Sequence, residues 1–536
     1  MELSKASILL FLISLGFIAE AQQNRYMVFF KDKSGSSYSI DAPEAYLSSR
    51  AIERRSKSNI SIGEDDLPVN EGYVQQVQEL GVQTYFTTKW MNGVLVQTEE
   101  SNVEAISDLD IVSSVELVAP GAVLTRSQKA APVASSFEPV TATDLTTNRQ
   151  LELIGVDSMH QEGNFGQGVL VAVMDGGFSG AYNSNAFRYQ YANDKVLYTR
   201  DFVSDGFDIY QYSSHGTSVW SCLAANEGEE LRGVAIEADY ALFVTEEVGS
   251  EYRVEEYNWL FAAEIADSMG VDVINTSLGY TDFDDASMNY STSDMDGQTA
   301  VITRAAEIAF SKGMLIVSSA GNLGDNSWRF ISAPADGEHV LAIGAIDLNS
   351  ALADFSSVGP SADGRVKPDV VGPGSSVTVF SSSVFRTGNG TSFSAPLITG
   401  LAAGLLSSNP DWTNTTLFNA IRNSGSNATN PNNEIGYGTP NYIPGASAIV
   451  LNLTPEKPNI SLYPNPTGLE RSVILQLEHN TFKKGMLLNM KGKKLMQFPI
   501  NGPGKYDIDV QHLESGIYFL ALRGKNVTET LKLLKN

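Results

Sequence analysis

Short runs of apolar residues alternate with longer segments of helical period between about residue 148 and residue 450. Runs typical of buried strands cover residues 169–174, 271–275, 314–318 and 340–344, and helical stretches cover residues 255–269 and 298–312. This alternation predicts an α/β domain, with a mostly parallel sheet and helices on both faces. Because ligands of such folds bind at the carboxyl ends of the strands, we expect the chemistry there.

Residues 22–120 follow a different pattern, in which the predicted elements are short. Strands are predicted over residues 25–30, over residues 82–96 as a pair joined by a turn at Asn92-Gly93, and over residues 112–117. Helices are predicted over residues 43–55, 73–80 and 103–109. The pattern favours a small α+β domain.

Two linkers separate these domains from their neighbours. Residues 121–147 are rich in Ala, Ser, Thr and Pro and show no hydrophobic periodicity. This composition predicts an exposed linker, where proteolytic nicking concentrates. Residues 453–458 contain Pro455 and Pro458 and form a second linker. The main domain is therefore predicted over residues 148–452.

Residues 459–536 carry short alternating runs at residues 473–477, 506–510 and 517–522, separated by turn signals. This spacing predicts a small β-sandwich. Its eleven basic and six acidic residues give a net charge of +5, whereas the whole chain carries −26. The pattern alone supports only a small β-domain, and a carbohydrate-binding or structural role is one alternative for it.

Residues 1–21 are typical of an export signal. Lys5 precedes an apolar stretch over residues 8–18, and Ala19-Glu20-Ala21 is a small-x-small cleavage site. A membrane anchor is the alternative, but the stretch is too short to cross a bilayer of about 30 Å, and no later run approaches about 20 apolar residues. We expect a protein outside the cytoplasm, soluble or attached to the cell surface, with no transmembrane segment.

Composition narrows the function classes. A chain of 536 residues with 42% hydrophobic residues predicts two to four folded domains. The net charge of −26 repels phosphate backbones and disfavours a nucleic-acid partner. The single cysteine, Cys222, excludes an internal disulfide and a thiolate metal cluster. We expect Cys222 to be a buried small residue rather than a nucleophile.

Four polar residues occupy positions where an α/β active site belongs. Asp175 ends the first strand before two glycines, and His215 opens a helix of small and apolar residues. Asn322 follows the strand at residues 314–318, and Ser392 opens a helix that runs to about residue 407. Each has an ordinary explanation as a cap or turn residue. Their joint placement at one sheet edge indicates a catalytic group.

The order Asp, His, Asn, Ser resembles that of the subtilisin-like serine proteases. The blocks at residues 275–279, 355–360, 363–369 and 390–396 also look like that family, and Gly-Thr-Ser-x-Ser-Ala-Pro at residues 390–396 is highly specific. Gly372 stands where the family more often has Ala, and Gly176 where many members have Thr or Ser. Neither departure removes a functional group.

The resemblance implies a serine endopeptidase that acts on proteins or peptides. Ser392 would be the nucleophile, His215 the general base, Asp175 the residue that orients it, and Asn322 an oxyanion donor. Substrate would lie between Ser277-Leu278-Gly279 and the segment around Gly321. Leu323 follows Asn322 where some relatives carry an acid, which argues mildly against basic residues before the scissile bond. The alternative is that Leu323 only lines the rim of the cleft.

The flanking domains carry resemblances as well. Tyr463-Pro464-Asn465-Pro466, Leu513-Glu514-Ser515-Gly516-Ile517-Tyr518 and the Lys-Leu-Leu-Lys ending resemble the C-terminal sorting domain of bacterial type IX secretion. That resemblance implies the type IX machinery as a partner and a secreted or cell-surface protein. The position of residues 22–120, between signal and protease, suits a pro-segment that assists folding and then blocks the enzyme.

The resemblance implies no required cofactor and leaves calcium open, since many relatives bind it. The acidic runs Asp282-Phe283-Asp284-Asp285 and Asp294-Met295-Asp296 are candidates without convincing ligand spacing, and solvated loops are the alternative. The competing function is a catalytically inactive surface-binding protein on the same fold. All four catalytic positions are filled, which disfavours it.

Overall fold

The computed structural model describes residues 23–121, 136–138, 146–228, 231–442, 460–465, 467, 472–477, 482–489, 493–524 and 528–535. The predicted export signal, most of the predicted linker at residues 121–147 and all of that at residues 453–458 lie outside these residues. The chain divides into two compact units, residues 1–446 and residues 447–536. Each is described by itself, and the predicted domain boundaries stay predictions.

The first part of unit one is a small α+β layer, as predicted. Its elements are β1 (Gln23–Phe30), α1 (Ser49–Lys57), α2 (Glu71–Gln78), β2 (Gln83–Thr88), β3 (Gly93–Glu99), α3 (Val103–Ser107) and β4 (Val112–Ala119). They form an antiparallel sheet in the order β2-β3-β1-β4. The helix predicted over residues 43–55 begins only after Ser48, because the Ser48 side chain caps α1 by accepting from the Ala51 N–H.

The main part of unit one is built on a seven-stranded sheet. After the short strand β5 (Ser136–Glu138), its helices are α4 (Asn148–Glu152), α5 (Val156–Gln161), α6 (Arg188–Ala192), α7 (His215–Ala224), α8 (Val254–Met269), α9 (Val301–Ser311), α10 (Thr391–Ser408) and α11 (Asn414–Asn423). Its strands are β6 (Leu170–Asp175), β7 (Val196–Asp201), β8 (Asp239–Val244), β9 (Val273–Thr276), β10 (Leu315–Ser319), β11 (Val340–Ile346), β12 (Val370–Pro373), β13 (Val377–Ser381) and β14 (Val384–Asn389).

The seven strands pair in parallel, in the order β12-β11-β10-β9-β6-β8-β7. Every residue of β6, β10 and β11 is buried, which is why these strands are continuous apolar runs. Helix α10 is buried from Thr391 to Leu406 and packs against the middle of the sheet. The predicted parallel α/β fold is confirmed, and the carboxyl ends of β6, β9 and β10 lie side by side.

The small α+β layer shares its core with the main part of unit one. Met27, Trp90 and Leu95 belong to the same hydrophobic cluster as the parallel sheet. Beside them, the buried Asp267 carboxylate of α8 contacts three cations from the layer, Arg54 at 2.6 Å, Arg55 at 2.8 Å and Lys89 at 2.9 Å. The layer is therefore held by apolar burial and by a charge cluster centred on α8.

Unit two is a β-sandwich, as predicted. Its strands are β15 (Ile460–Tyr463), β16 (Ser472–Leu477), β17 (Phe482–Asn489), β18 (Lys494–Pro499), β19 (Gly504–Asp509), β20 (Gly516–Gly524) and β21 (Thr528–Lys535). They form antiparallel sheets in the orders β15-β16-β19 and β18-β17-β20-β21. Leu475 of one sheet and Leu520 of the other are fully buried in one core. No helix within the described ranges is long and apolar enough to cross a membrane.

Candidate active site

Asp175 is held at the carboxyl end of β6 and is fully buried. Its Oδ1 accepts a hydrogen bond of 2.7 Å from the Gly176 N–H, which fixes the carboxylate where the chain turns away. Helix α7 approaches this point closely. A Cβ added to Gly216 would lie 2.5 Å from the Gly177 carbonyl oxygen and 2.9 Å from the Asp175 Cβ, so only glycine allows the approach.

His215, the first residue of α7, meets this carboxylate. Its Nδ1 lies 2.9 Å from each carboxylate oxygen of Asp175. The imidazole is one-fifth exposed, whereas the Asp175 side chain has no exposure. With Nδ1 engaged by Asp175, Nε2 is the ring nitrogen that can exchange a proton with a reacting group. The Phe393 ring, next to Ser392 in the sequence, lies 6.1 Å from the imidazole.

Ser392 lies in the first turn of α10 and is 2% exposed. Its Oγ donates to the Ser277 carbonyl oxygen at 3.2 Å, and the Ser277 Oγ donates to the Ser392 carbonyl oxygen at 2.9 Å. The second bond compensates for Pro396, which has no N–H to offer the carbonyl four residues before it. Ser277, predicted to bind substrate, therefore also holds the backbone of Ser392.

Asn322 is oriented by the residue before Ser392. Its Oδ1 accepts two hydrogen bonds of 2.8 Å, from the Thr391 N–H and from the Thr391 hydroxyl. With the oxygen engaged in this way, the side chain can act on a substrate only through its Nδ2 donor. The structure thus brings Asp175 to His215, and Asn322 to the start of α10.

The predicted substrate-binding residues line two neighbouring segments after β9 and β10. Leu278 is half-buried, and Gly279 is exposed. Gly321 has a φ of 111°, which an L side chain rarely adopts. The Ser332 hydroxyl lies between them, 2.3 Å from a Cβ added to Gly279 and 3.1 Å from one added to Gly321.

Sequence reasoning missed Ser332. Its Oγ is buried and has no hydrogen-bond partner among the described residues. No motif marks it, because only the folded chain brings it between Gly279 and Gly321. A buried hydroxyl of this kind is a candidate contact for a bound group.

Two opposing effects set the pKa of His215. Burial lowers it, but the charge of Asp175 and the hydrogen bond to Asp175 outweigh burial, with a further contribution from Glu246, and the pKa is raised. Cys222, on the same helix, behaves as expected of a packed residue. It is buried, and burial raises the pKa of its thiol to about 12.

Three residues of the acidic runs considered for calcium, Asp285, Asp294 and Asp296, serve local turns. The carboxylate of Asp285 accepts from the N–H and hydroxyl of Ser287, that of Asp294 from Ser291, and that of Asp296 from Gln298 and Thr299. Each of these bonds spans two or three residues along the chain, as in capping and turn motifs. This arrangement fits the alternative of solvated acidic loops.

A different acidic group, not anticipated from the sequence, lies near Asp175. Oxygens of Glu246, Glu251 and Glu255 all lie within 4.8 Å of one another. Burial raises the pKa of all three carboxyls, that of Glu251 to about 9, and the charge of Glu246 raises those of Glu251 and Glu255 further. Glu246 packs against Gly176, its Cβ 3.5 Å from a Cβ added there, which places this acidic group beside the Asp175–His215 pair.

Three family models match the chain. Residues 166–438 match the subtilase family, residues 25–132 match the peptidase S8 propeptide domain of Bacteroidota, and residues 461–536 match a secretion system C-terminal sorting domain.

Individual relatives agree with the first model. The chain is 32% identical to subtilisin NAT of Bacillus subtilis subsp. natto and to subtilisin E of Bacillus subtilis (strain 168), over 53% of this chain and 67% of each relative. It is 30% identical to subtilisin BL of Lederbergia lenta, over 49% of this chain and 86% of the relative.

Proposed function

Because this chain belongs to the subtilase family and is a secreted serine endopeptidase, we propose that Ser392, His215 and Asp175 are its catalytic triad. The observation that carries the proposal is the 2.9 Å approach of His215 Nδ1 to both oxygens of the buried Asp175. A histidine in that setting has one defined tautomer and a second ring nitrogen that can transfer a proton.

Ser392 Oγ attacks the carbonyl carbon of a peptide bond. A neutral hydroxyl is a weak nucleophile, so His215 Nε2 takes its proton as the new bond forms. Asp175 stabilises the imidazolium that results and is not itself protonated. His215 then returns the proton to the leaving amine, and water releases the acyl group from Ser392 by the same steps in reverse order.

The oxyanion of the tetrahedral intermediate needs donors that are already in place. We assign this role to the Asn322 Nδ2 group and to the Ser392 N–H at the start of α10. The two bonds from Thr391 to Asn322 Oδ1 support the assignment, because they hold the amide without reorganisation during the reaction.

Substrate polypeptide is proposed to lie between residues 277–279 and the segment around Gly321. Gly279 and Gly321 present no side chains, and the Ser332 hydroxyl stands between them. Leu323 is half-buried beside Asn322 and offers no charge to a basic side chain. These features favour an uncharged residue before the scissile bond.

Residues 22–120 are proposed to act as the pro-segment that assists folding and blocks the enzyme. The support is their attachment to α8, where Asp267 pairs with Arg54, Arg55 and Lys89. In addition, the Glu264 carboxylate accepts from the Thr88 hydroxyl and from the N–H groups of Lys89 and Trp90.

Calcium enters no step of this reaction. The residues that fit such an ion within the described ranges are Glu246, Glu251 and Glu255, since Ca²⁺ prefers carboxylate oxygens and Glu255 Oε2 has no hydrogen-bond partner there. A bound ion would offset their negative charges and stabilise the fold.

The sorting domain is proposed to engage the type IX secretion machinery.

Labelling with a serine-directed fluorophosphonate tests the triad. The processed protein should be labelled on Ser392 and should digest casein, and the Ser392→Ala protein should do neither. Absence of labelling in a folded, processed protein would favour an inactive binding protein on the same fold.

A further inference from the structure

The acidic group formed by Glu246, Glu251 and Glu255 is bonded to the segment that is proposed to bind substrate. Glu246 lies two residues after the end of β8, and Glu255 lies in the first turn of α8. The Tyr280 hydroxyl donates to Glu246 Oε1, and Tyr280 directly follows Gly279 in the sequence. This hydrogen bond places the acidic group in the wall of the proposed cleft.

Two buried oxygens at the acidic group lack a hydrogen-bond donor. Glu255 is 1% exposed, and its Oε1 accepts from the Tyr252 N–H at 3.1 Å, but no N–H or hydroxyl of the described residues donates to its Oε2. Asn258, one turn later on α8, is also 1% exposed. Its Nδ2 donates to the carbonyl of Thr245 at 3.1 Å, and within the described ranges its Oδ1 has no partner. Buried oxygens of this kind indicate a site for a bound donor.

The charges that surround the acidic group are negative as well. Burial and the charges of Glu246 and Asp284 raise the pKa of the Glu251 carboxyl to about 9. Arg253, two residues after Glu251, donates instead to the Met288 carbonyl, at 2.8 Å and 3.1 Å. A cation that entered the group would offset the repulsion between the carboxylates and would supply the missing donors.

The place of the acidic group along the cleft follows from Ser277 and Tyr280. Ser277 exchanges two hydrogen bonds with Ser392, so it marks the level of the scissile bond. Tyr280 is three residues farther along the same segment, a distance of about 10 Å in an extended chain. The residue immediately before the scissile bond is proposed to lie against residues 277–279. An extended substrate therefore brings a residue about two to four positions before the bond to the acidic group.

We propose that Glu246, Glu251 and Glu255 bind the side chain of a substrate lysine or arginine that lies two to four residues before the scissile bond. The inference rests on the proposed triad and cleft. Ammonium and guanidinium groups form strong, charge-assisted hydrogen bonds with carboxylates, and they supply the donor that Glu255 Oε2 lacks. Leu323 offers no charge next to the scissile bond itself, so the preference for a cation is confined to the more distant positions.

A calcium ion would compete for the same oxygens, but the contacts favour a side chain. Ca²⁺ takes about six to eight oxygen ligands, often including backbone carbonyls. The carbonyls of Thr245 and Glu251 already accept, from Asn258 Nδ2 and from the Asp284 N–H. A lysine or arginine needs fewer acceptors, and the cleft brings it to the acidic group.

Matched peptides test the proposal on the processed enzyme. Internally quenched peptides carry Arg or citrulline at the second, third or fourth position before the cut, and mass spectrometry of the products confirms the cut. Citrulline keeps the shape of Arg without its charge. At one of these positions kcat/KM should be at least about tenfold higher for Arg than for citrulline. A ratio near one at all three positions overturns the proposal.

Substitutions in the acidic group should lower this ratio. Glu251→Gln and Glu255→Gln each remove a charge and keep the shape, and each should lower the Arg-to-citrulline ratio at least about threefold. Glu251 is half-buried, so its variant should keep the fold. The matched control is Asp411→Asn, an exposed residue beyond the far end of α10 and about 25 Å from Ser392. A ratio that both glutamine variants leave unchanged, or that Asp411→Asn lowers equally, overturns the proposal.

A calcium titration separates the metal ion from the side chain. Enzyme freed of metal with EDTA receives calcium chloride up to about 1 mM, the affinity range of extracellular calcium sites. The Arg-to-citrulline ratio should persist, and any change in Tm should be equal in the wild type and in Glu255→Gln. A ratio that falls towards one, with a rise in Tm that Glu255→Gln abolishes, would assign the acidic group to calcium and overturn the proposal.

Fluorophosphonate labelling separates this inference from the proposed function. An enzyme that is labelled on Ser392 and digests casein, but cuts the Arg and citrulline peptides equally, refutes only the role of the acidic group. A protein that is neither labelled nor active refutes the triad, and with it a substrate site defined by its distance from Ser392.

Discussion

Ser277 and Ser392, 115 residues apart in the sequence, exchange two hydrogen bonds in the folded protein. The Ser277 hydroxyl donates to the Ser392 carbonyl, which would otherwise lack a helical donor because Pro396 follows four residues later. The end of β9 therefore sets the position of the first turn of α10. Ser277, which is predicted to bind substrate, therefore also positions the proposed nucleophile.

Replacing Ser277 by Ala should lower both stability and turnover. The buried Ser392 carbonyl would lose its donor, at a cost of about 1–3 kcal/mol in unfolding free energy. We expect kcat to fall more than KM rises, because the affected group is the proposed nucleophile. Urea unfolding and steady-state kinetics provide the measurement. Ser277→Thr keeps a hydroxyl and should retain most of the stability and most of the turnover. Equal losses in the Ala and Thr variants would contradict the positioning role of Ser277.

Replacing Asn322 by Ala should lower kcat by about 10²–10³, the loss found in subtilisin when one oxyanion donor is removed. KM should change little, because the oxyanion exists only along the reaction path. Kinetics on a chromogenic peptide measure both quantities. Asn326→Ala, an exposed change in the same loop, is the control. An effect confined to KM would argue against the oxyanion role.

Replacing Glu246 by Gln should extend activity to lower pH. Glu246 contributes to the raised pKa of His215. As the proposed general base, His215 must be neutral to accept a proton from Ser392. Without that negative charge the His215 imidazole should titrate at lower pH. The acid limb of the profile of kcat/KM against pH should therefore shift to lower pH. Glu251→Gln, which lacks this influence on His215, should move the limb less. An acid limb that stays at the same pH, or shifts to higher pH, would refute the influence of Glu246 on His215.

Replacing Asp267 by Asn should loosen the pro-segment from the main domain. The change leaves Arg54, Arg55 and Lys89 without their shared buried anion, and losing one partner of a buried pair costs about 3–5 kcal/mol. Thermal unfolding of the Ser392→Ala precursor should show the loss, whereas the mature enzyme should keep its activity. Asp272→Asn, whose partner Arg50 is partly exposed, should cost less.

Acid should have a related effect on the precursor. Burial raises the pKa of Asp267, but the charges of Lys89, Arg54 and Arg55 outweigh burial and lower it below the ordinary value near 4. A carboxyl with a depressed pKa contributes its full stability above that ordinary value and loses it as the pH falls through the lowered one. The stability difference between the precursor and its Asp267→Asn variant should therefore shrink below about pH 4.

Deleting residues 459–536 should leave the protease active and keep it from leaving the cell. Unit two has its own buried core, so we expect the protease domain to fold without it. In a host with type IX secretion, the truncated protein should accumulate in the cell envelope, and immunoblots of medium and envelope fractions measure its location. Normal appearance in the medium would contradict the sorting role.

Local patterns in the sequence predicted most of the elements. The runs at residues 169–174 and 340–344 are apolar throughout because parallel strands are buried on both faces, and the structure places β6 and β11 there. The sequence also places four candidate catalytic residues, Asp175, His215, Asn322 and Ser392, after strands or at helix starts. Their proposed roles depend on residue type and on the sheet edge that the strand and helix pattern predicts.

Other features arise from contacts between residues that are distant in sequence, and they become visible only in the folded chain. Ser332 stands beside Gly279 and Gly321, Glu246 packs against Gly176, and Ser136 pairs with Asn389. None of these contacts can be predicted from periodicity or composition. The hydrophobic periodicity of a segment indicates only whether a residue faces a core, and not which residue it contacts. Sequence patterns therefore predict the elements and the candidate reacting groups. The contacts of Ser332, the charges around His215 and the register of β5 follow only from the folded chain.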